Sequence, residues 1–176
     1  MTRTLCILGL VLVATGVRAA TPSLAETVIA AAFDGAPPTP TVLWYDPPRR
    51  ALASAILGHA PTTARIRVWR SGTRTALVLD EIAHTQPITA GFVVGAGRIE
   101  QARVLIYRES RGGAVQRAEW LAQLIGRGLD AEHRLDGEVD GLTGATLSVA
   151  AMTRMARLAL YLAGDAARSG TTDAAH

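Results

Sequence analysis

The sequence has no lysine, no asparagine and a single cysteine among its 176 residues. Without lysine there is no P-loop of the Walker type and no Schiff-base chemistry, since both need the ε-amine. The one cysteine, Cys6, falls inside a candidate export signal and too near the start for a lipoprotein attachment site. The rest of the chain therefore excludes disulfides, thiol catalysis and cysteine-held zinc or iron–sulfur clusters. His59, His84, His133 and His176 stand far apart, with no pair at three- or four-residue spacing. A zinc motif is thus missing, no metal is expected, and each histidine reads as a surface or structural residue. Clustered positive charge is missing too. The net charge is +3, and once Arg3 and Arg18 are set aside, 16 scattered arginines face 15 acidic residues. That balance carries no nucleic-acid footprint.

What is present begins with a leader. Arg3 precedes an apolar run from Leu5 to Val17, and Val17-Arg18-Ala19 supplies small residues for cleavage. The run is too short to span a bilayer comfortably, so residues 1–19 are expected to be a signal peptide and the mature chain to start near Ala20 in the periplasm. An uncleaved anchor is the alternative, with the remainder facing the same compartment.

Leu24 to Phe33 is Ala-rich and compatible with a helix; "DGAPPTPT" after it favours an extended connector. "WYDPPRR" (44–50) reads as a break, and Arg50 to Leu57 as a short helix ended by Gly58. "RIRVWR" (65–70) alternates at period two, turns through "SGT" and continues as "RTALVLDEI", a hairpin signal. A second pair follows: 87–94, the turn "GAGR", and a strand over 99–109 expected to be buried on both faces toward its end. Residues 116–126 predict a helix presenting Trp120, Leu121, Leu124 and Ile125. The last apolar stretch, 147–164, places Leu147, Met152, Met155, Leu158, Ala159 and Leu162 on one stripe, with Arg154 and Arg157 near the opposite side. The fold class is α+β: an antiparallel sheet of about four or more strands packed by two C-terminal helices. The expected division is signal 1–19, an N-terminal extension 20–80, a domain 81–164 and a flexible tail 165–176.

Most chemistry-bearing residues have plain explanations. Gly95-x-Gly97 sits in a hairpin turn with no helix behind it, so it is not a dinucleotide fingerprint. Ser110 and Ser148 lack a nucleophile elbow. Asp80, Glu81, Glu100 and Glu119 read as solvated faces, and Trp120 as core. Glu109 and Asp140 stand out, each beside a Gly-rich loop. The stretch "DGLTGATLS" (140–148) is richer in hydroxyls than a helix start requires. One capping threonine, Thr143 or Thr146, is enough to start a helix. Two threonines around Gly-Ala also offer open backbone and free N–H groups where orphan donors and the helix dipole favour a phosphate.

The run Asp140-Gly-Leu-Thr143-Gly144-Ala145-Thr146 resembles the flavinylation motif D-x-x-[ST]-G-A-[ST] of the FMN-binding domain family. That domain is found in subunits of sodium-translocating NADH:quinone reductase and Rnf-type complexes, and in exported stand-alone proteins. "YRESRGG" before the motif resembles the strand and glycine loop of the exported relatives, and the likeness covers Ile82 to Leu162. The respiratory subunits carry an "ETPG"-like loop where this chain has Glu109-Ser110-Arg111-Gly112, which places it with the stand-alone relatives. The resemblance implies FMN joined to Thr146 by a phosphodiester, donated from FAD by a Mg-dependent flavin transferase. It implies that Thr143, Gly144, Ala145 and Leu142 shape the phosphate turn, with Asp140 orienting it or assisting attachment. Glu109, Ser110, Arg111, Gly112 and Gly113 would lie along the flavin. The implied function is an exported electron carrier or redox-complex subunit rather than a stand-alone enzyme, relaying electrons between a membrane redox partner and other carriers. The alternatives are an exported binding or assembly module without flavin, and a flavin reductase with its own substrate; the absence of a nicotinamide fingerprint speaks against the reductase.

Overall fold

The computed structural model describes residues 23–173. The expected signal peptide and His176 lie outside the described residues. Five strands, β1 (Thr41–Trp44), β2 (Arg65–Ser71), β3 (Arg74–Ile82), β4 (Pro87–Gly95) and β5 (Arg98–Tyr107), form one antiparallel sheet in chain order. The α+β class is therefore the expected one. Both sheet hairpins predicted from alternation are present. The β4–β5 turn needs left-handed backbone at both central residues, which Ala96 and Gly97 adopt at φ of 48° and 75°.

Helix α1 (Leu24–Ala32) starts with a reciprocal cap: the Ser23 hydroxyl accepts from the Glu26 N–H, and the Glu26 carboxylate accepts from the Ser23 N–H. Helix α2 (Pro47–Leu57) begins three residues before the expected Arg50. The prolines that read as a break occupy its first turn, where no N–H donor is needed, and the Asp46 carboxylate caps the Arg49 N–H at 2.9 Å. Strand β1 was not legible as a strand. It is four residues long between proline-rich segments, and its pairing with β2 defines it. The expected helix over 116–126 is instead a 3-10 turn (Gly113–Gln116), a single α turn, α3 (Ala118–Leu121), and another 3-10 turn (Ala122–Leu124). No side chain caps any of the three, and so short a stretch does not propagate a helix by itself. Trp120, Leu121 and Leu124 are buried as expected, whereas Ile125 is 44% exposed.

The long helix α4 (Thr146–Asp173) crosses one face of the sheet together with α2, burying Leu77, Ile88, Phe92, Met152, Met155 and Leu162. Helix α1 packs on the other face over Ala76 and Val93. Strand β4, covered from both sides, is buried from Ile88 to Gly95. Burial on both faces, expected for the end of β5, thus belongs to β4; β5 is the sheet's edge and remains half-exposed. The N-terminal residues are not an appendage, because β3 runs across the expected boundary at 80/81 and β1 and β2 extend the same sheet. Instead of a flexible tail from residue 165, the helix continues to Asp173. Asp165 pairs with Arg49 at 2.6 Å, and the Arg70 guanidinium donates to the Ala166 carbonyl.

Two expectations about side chains fail. Glu81 is not a solvated carboxylate: it is 3% exposed, with Arg154 at 2.7 Å and the His59 ring at 3.0 Å. Burial of a carboxylate is tolerable only with such partners. Leu147 does not join the buried stripe of α4; it is 50% exposed, because the helix's first turn faces a cavity and not the sheet. The sheet also forks. The β2–β3 ladder stops at Val68 opposite Leu77, while β1–β2 runs on to Trp44 opposite Arg65, and β3–β4 to Ile82 opposite Pro87.

Candidate functional site

Where β5 ends, two latches fix the loop that follows it. The first is Glu109. Its carboxylate accepts the backbone N–H groups of His84, Thr85 and Gln86 at 2.7 to 2.8 Å and the Thr85 hydroxyl at 3.2 Å, tying the loop to the β3–β4 turn. Donation from the Gln86 N–H, joined by those of His84 and Thr85, holds its pKa down at about 2. The second latch is Tyr107, whose hydroxyl donates to the Arg111 carbonyl and lies 2.9 Å from the hydroxyl of buried Ser148 on α4. Tyr107 has one hydroxyl proton, given to Arg111, so Ser148 donates to Tyr107. Gly112 turns there at φ 81°, close against α4: a Cβ on it would stand 2.5 Å from Ser148 Oγ.

The other wall is the start of α4. Gly144, at φ 75°, lets the chain turn, and the Ala145 N–H bonds the Leu142 carbonyl at 2.9 Å. Ala145 occupies the capping position, accepting the Val149 N–H through its carbonyl, but its methyl side chain cannot cap. Neither threonine replaces it: Thr146 is the first helical residue, and the Thr143 and Thr146 hydroxyls make no hydrogen bond among the described residues. The first-turn N–H groups of Thr146, Leu147 and Ser148 consequently remain without a side-chain partner, at the positive end of a 28-residue helix.

Between the two walls lies a cavity of about 550 Å³, lined by His84, Glu109, Ser110, Arg111, Gly112 and residues 144–148. The Arg111 guanidinium has no ion pair or hydrogen bond among the described residues. A phosphate-bearing ligand thus meets free N–H donors, an uncommitted guanidinium and the exposed hydroxyl of Thr146. The volume lies within the usual range for small-molecule sites, about 300–1,000 Å³.

Of the predicted site residues, the structure brings Thr146, Gly144, Ala145, Glu109, Ser110, Arg111 and Gly112 together around this cavity. Thr143, Leu142, Asp140 and Gly113 do not line it. Leu142 packs against the main core. Asp140 is held through its backbone, its N–H donating to Gln123 and its carbonyl accepting from the Trp120 indole, while its carboxylate makes no hydrogen bond. Glu109 lines the cavity, but its oxygens are taken by the β3–β4 turn. Sequence reasoning missed His84, Leu147 and the Tyr107–Ser148 pair. Ser148 is two residues after Thr146 and Tyr107 directly precedes the "RESRGG" loop, so closeness to the motif was the available signal.

A second cavity, about 670 Å³, opens in the fork of the sheet and is lined by residues from Ser23 to Glu81 together with Leu158. It contains no glycine loop and no uncapped helix start, so the first cavity fits a phosphate better.

The span matched by one family model includes every residue lining the first cavity. Residues 84–161 match the family model of the FMN-binding domain. No curated protein and no solved structure matches the chain significantly.

Proposed function

This chain carries an FMN-binding domain, and on that premise we propose that it is an exported electron carrier holding FMN covalently on Thr146. The single observation behind the attachment point is the state of the Thr146 hydroxyl: exposed, unbonded, and at the mouth of the cavity on an uncapped helix start. The chain's task in attachment is to present that oxygen. Thr146 Oγ1 forms the new phosphoester bond, FAD supplies the FMN phosphate with AMP leaving, and the transferase with its Mg ion supplies the base that takes the proton. Free threonine is a poor nucleophile at neutral pH, so the chain is a substrate of that enzyme and not self-modifying.

With FMN attached, the first-turn N–H groups of α4 would hold its phosphate, the dipole adding roughly 0.3–1 kcal/mol. Arg111 lies free on the loop wall to stack on a flat ring or to balance negative charge on it. Leu147 supplies apolar cover. Bound FMN would supply one- and two-electron chemistry. A covalent tether suits a periplasmic location, where a dissociated cofactor is lost, and the relay would run between a membrane redox partner and other carriers.

The test is the intact mass of the chain coexpressed with a flavin transferase. Wild type and Thr146→Ser are expected to gain one FMN less water, and Thr146→Ala nothing. An unmodified wild type beside a demonstrably active transferase would overturn the reading, leaving an exported module that binds without carrying flavin.

A further inference from the structure

The fork in the sheet has no part in holding FMN. Beyond Val68 opposite Leu77, β2 and β3 separate around the cavity of about 670 Å³, and no residue lines both this cavity and the one at the start of α4. Leu158 excepted, its lining lies outside residues 84–161, the span shared with the FMN-binding domain. Each bank is held from behind, β2 by β1 as far as Trp44 opposite Arg65, and β3 by β4 as far as Ile82 opposite Pro87. The fork is thus a gap between two paired strands and not a frayed end.

The two banks turn open main chain toward each other. The Tyr45 N–H bonds the Ala64 carbonyl at 3.0 Å, so Ala64 and Ile66 direct their backbone groups to β1, and alternation turns those of Arg65 into the fork. Likewise the Ala83 N–H bonds the Gln86 carbonyl at 3.4 Å, so Glu81 and Ala83 face β4 and Asp80 faces the fork. The backbone N–H and C=O of Arg65 and of Asp80 have no hydrogen-bond partner among the described residues. Such edges are templates for another strand. Past the last rung β3 runs on from Val78 to Ile82, about 16 Å of strand at roughly 3.3 Å per residue.

The walls suit a strand as well. Ile29, Trp69 and Val78 belong to the small core under α1, whereas Leu57, Leu79 and Leu158 belong to the main core under α2 and α4. The cavity therefore reaches both faces of the sheet, and a strand lying in it would send successive side chains to the two apolar walls in turn. Charges of both signs line it, Arg65 and Arg67 with Glu26 and Asp80, so charge does not choose the occupant. The open main chain does.

We propose that the fork receives an extended peptide segment of a partner protein as an inserted strand, bonded through its main chain to Arg65 on one side and Asp80 on the other. Because β2 and β3 are antiparallel, the segment runs parallel to one bank and antiparallel to the other. This is strand addition within a sheet instead of at its outer edge. Nothing in it depends on flavin, so it stands or falls apart from the carrier reading.

The experiment pans a phage library of random heptapeptides over the purified protein, then measures the enriched peptides by fluorescence anisotropy and amide hydrogen exchange. Enriched sequences are expected to alternate apolar residues, and their binding to protect the amides of Arg65 and Asp80, which exchange freely in the protein alone. N-methylating one inner residue of a bound peptide should weaken binding about five-fold, the net worth of one hydrogen bond near 1 kcal/mol. Arg65→Pro should do the same, since it removes an N–H that no ladder uses at the first residue of β2. Arg65→Ala keeps that N–H and should bind as wild type, and thermal melts report that both variants are folded. The proposal is overturned if no peptide is enriched, or if the Arg65 and Asp80 amides are already protected in the protein alone, which would mean a closed fork. Binding indifferent to N-methylation would overturn it too, leaving a slot for a small molecule, as would an equal loss in Arg65→Ala, which would assign the contact to the side chain.

Discussion

Gly112 offers the sharpest test of the site's architecture. Its φ of 81° lies in the left-handed region, and a Cβ there would stand 2.5 Å from Ser148 Oγ and 2.9 Å from the Tyr107 hydroxyl. In Gly112→Ala the backbone conformation alone costs about 1–2 kcal/mol. The steric overlap adds about 1–3 kcal/mol, because Ser148 is short, buried and fixed on α4, and the Tyr107 ring is held by its two partners. A total loss of roughly 2–5 kcal/mol corresponds, at about 2–4 °C per kcal/mol for a chain of this size, to a fall in Tm of at least about 4 °C. Adding Ser148→Ala removes the closest contact and leaves the nearest atom of that residue, its Cβ, at 3.4 Å. The double variant should therefore recover part of the steric loss and none of the backbone loss. Calorimetry or urea melts of wild type, both single variants and the double variant give the coupling directly. A Gly112→Ala protein within about 0.5 kcal/mol of wild type, or two losses that simply add, would mean that the loop is not seated on α4 and that the cavity has no fixed wall.

Three further outcomes follow from the charged groups. The Glu109 pKa is held below that of the unfolded chain, so its stabilisation is complete above the ordinary value of 4.5 and disappears as pH falls through about 2. Melts of wild type and Glu109→Gln should differ at neutral pH and converge over that acidic window; a constant difference would refute the latch. The His59 pKa is raised, through the Ala60 carbonyl and then Glu81, so its contribution is full below 6.5 and is lost as pH rises through the folded value. The Tm gap between wild type and His59→Gln should accordingly shrink with rising pH, and a gap that widens would sink the assignment. Arg154→Met leaves buried Glu81 without its cation and should cost about 3–5 kcal/mol by urea denaturation, less if His59 stays protonated. A near-neutral result would contradict the buried pair.

What was legible in the sequence was local. The two hairpins followed from period-two alternation around Gly-containing turns, and α4 from its spacing of Met152, Met155, Leu158 and Leu162. The start of α2 was misread because proline breaks a helix in its interior but not in its first turn, and only the Asp46 cap distinguishes the two. Strand β1 is too short to show a period and exists because β2 offers it an edge. Glu81 reads as a surface carboxylate from its neighbours, since the cation that permits its burial is 73 residues away on α4. The same distance problem hid the Tyr107–Ser148 latch, a pair separated by 41 residues.

The cavity itself was half legible, and the missing half explains why the motif has the form it does. Read as a helix start, "TGAT" invites one threonine to serve as the cap, and a capping hydroxyl is consumed by the backbone. In the structure the capping position is taken by Ala145, which is buried and has no oxygen to offer. Thr146 moves by that one residue to the first helical position, where its hydroxyl is spare and the N–H groups around it are unpaired. A serine in place of Ala145 would bring back a competing acceptor for the donors that a phosphate needs. On the proposed reading the alanine is therefore as much a part of the site as the threonine after it: it would keep the helix start open for the FMN phosphate and leave the Thr146 hydroxyl free beside it.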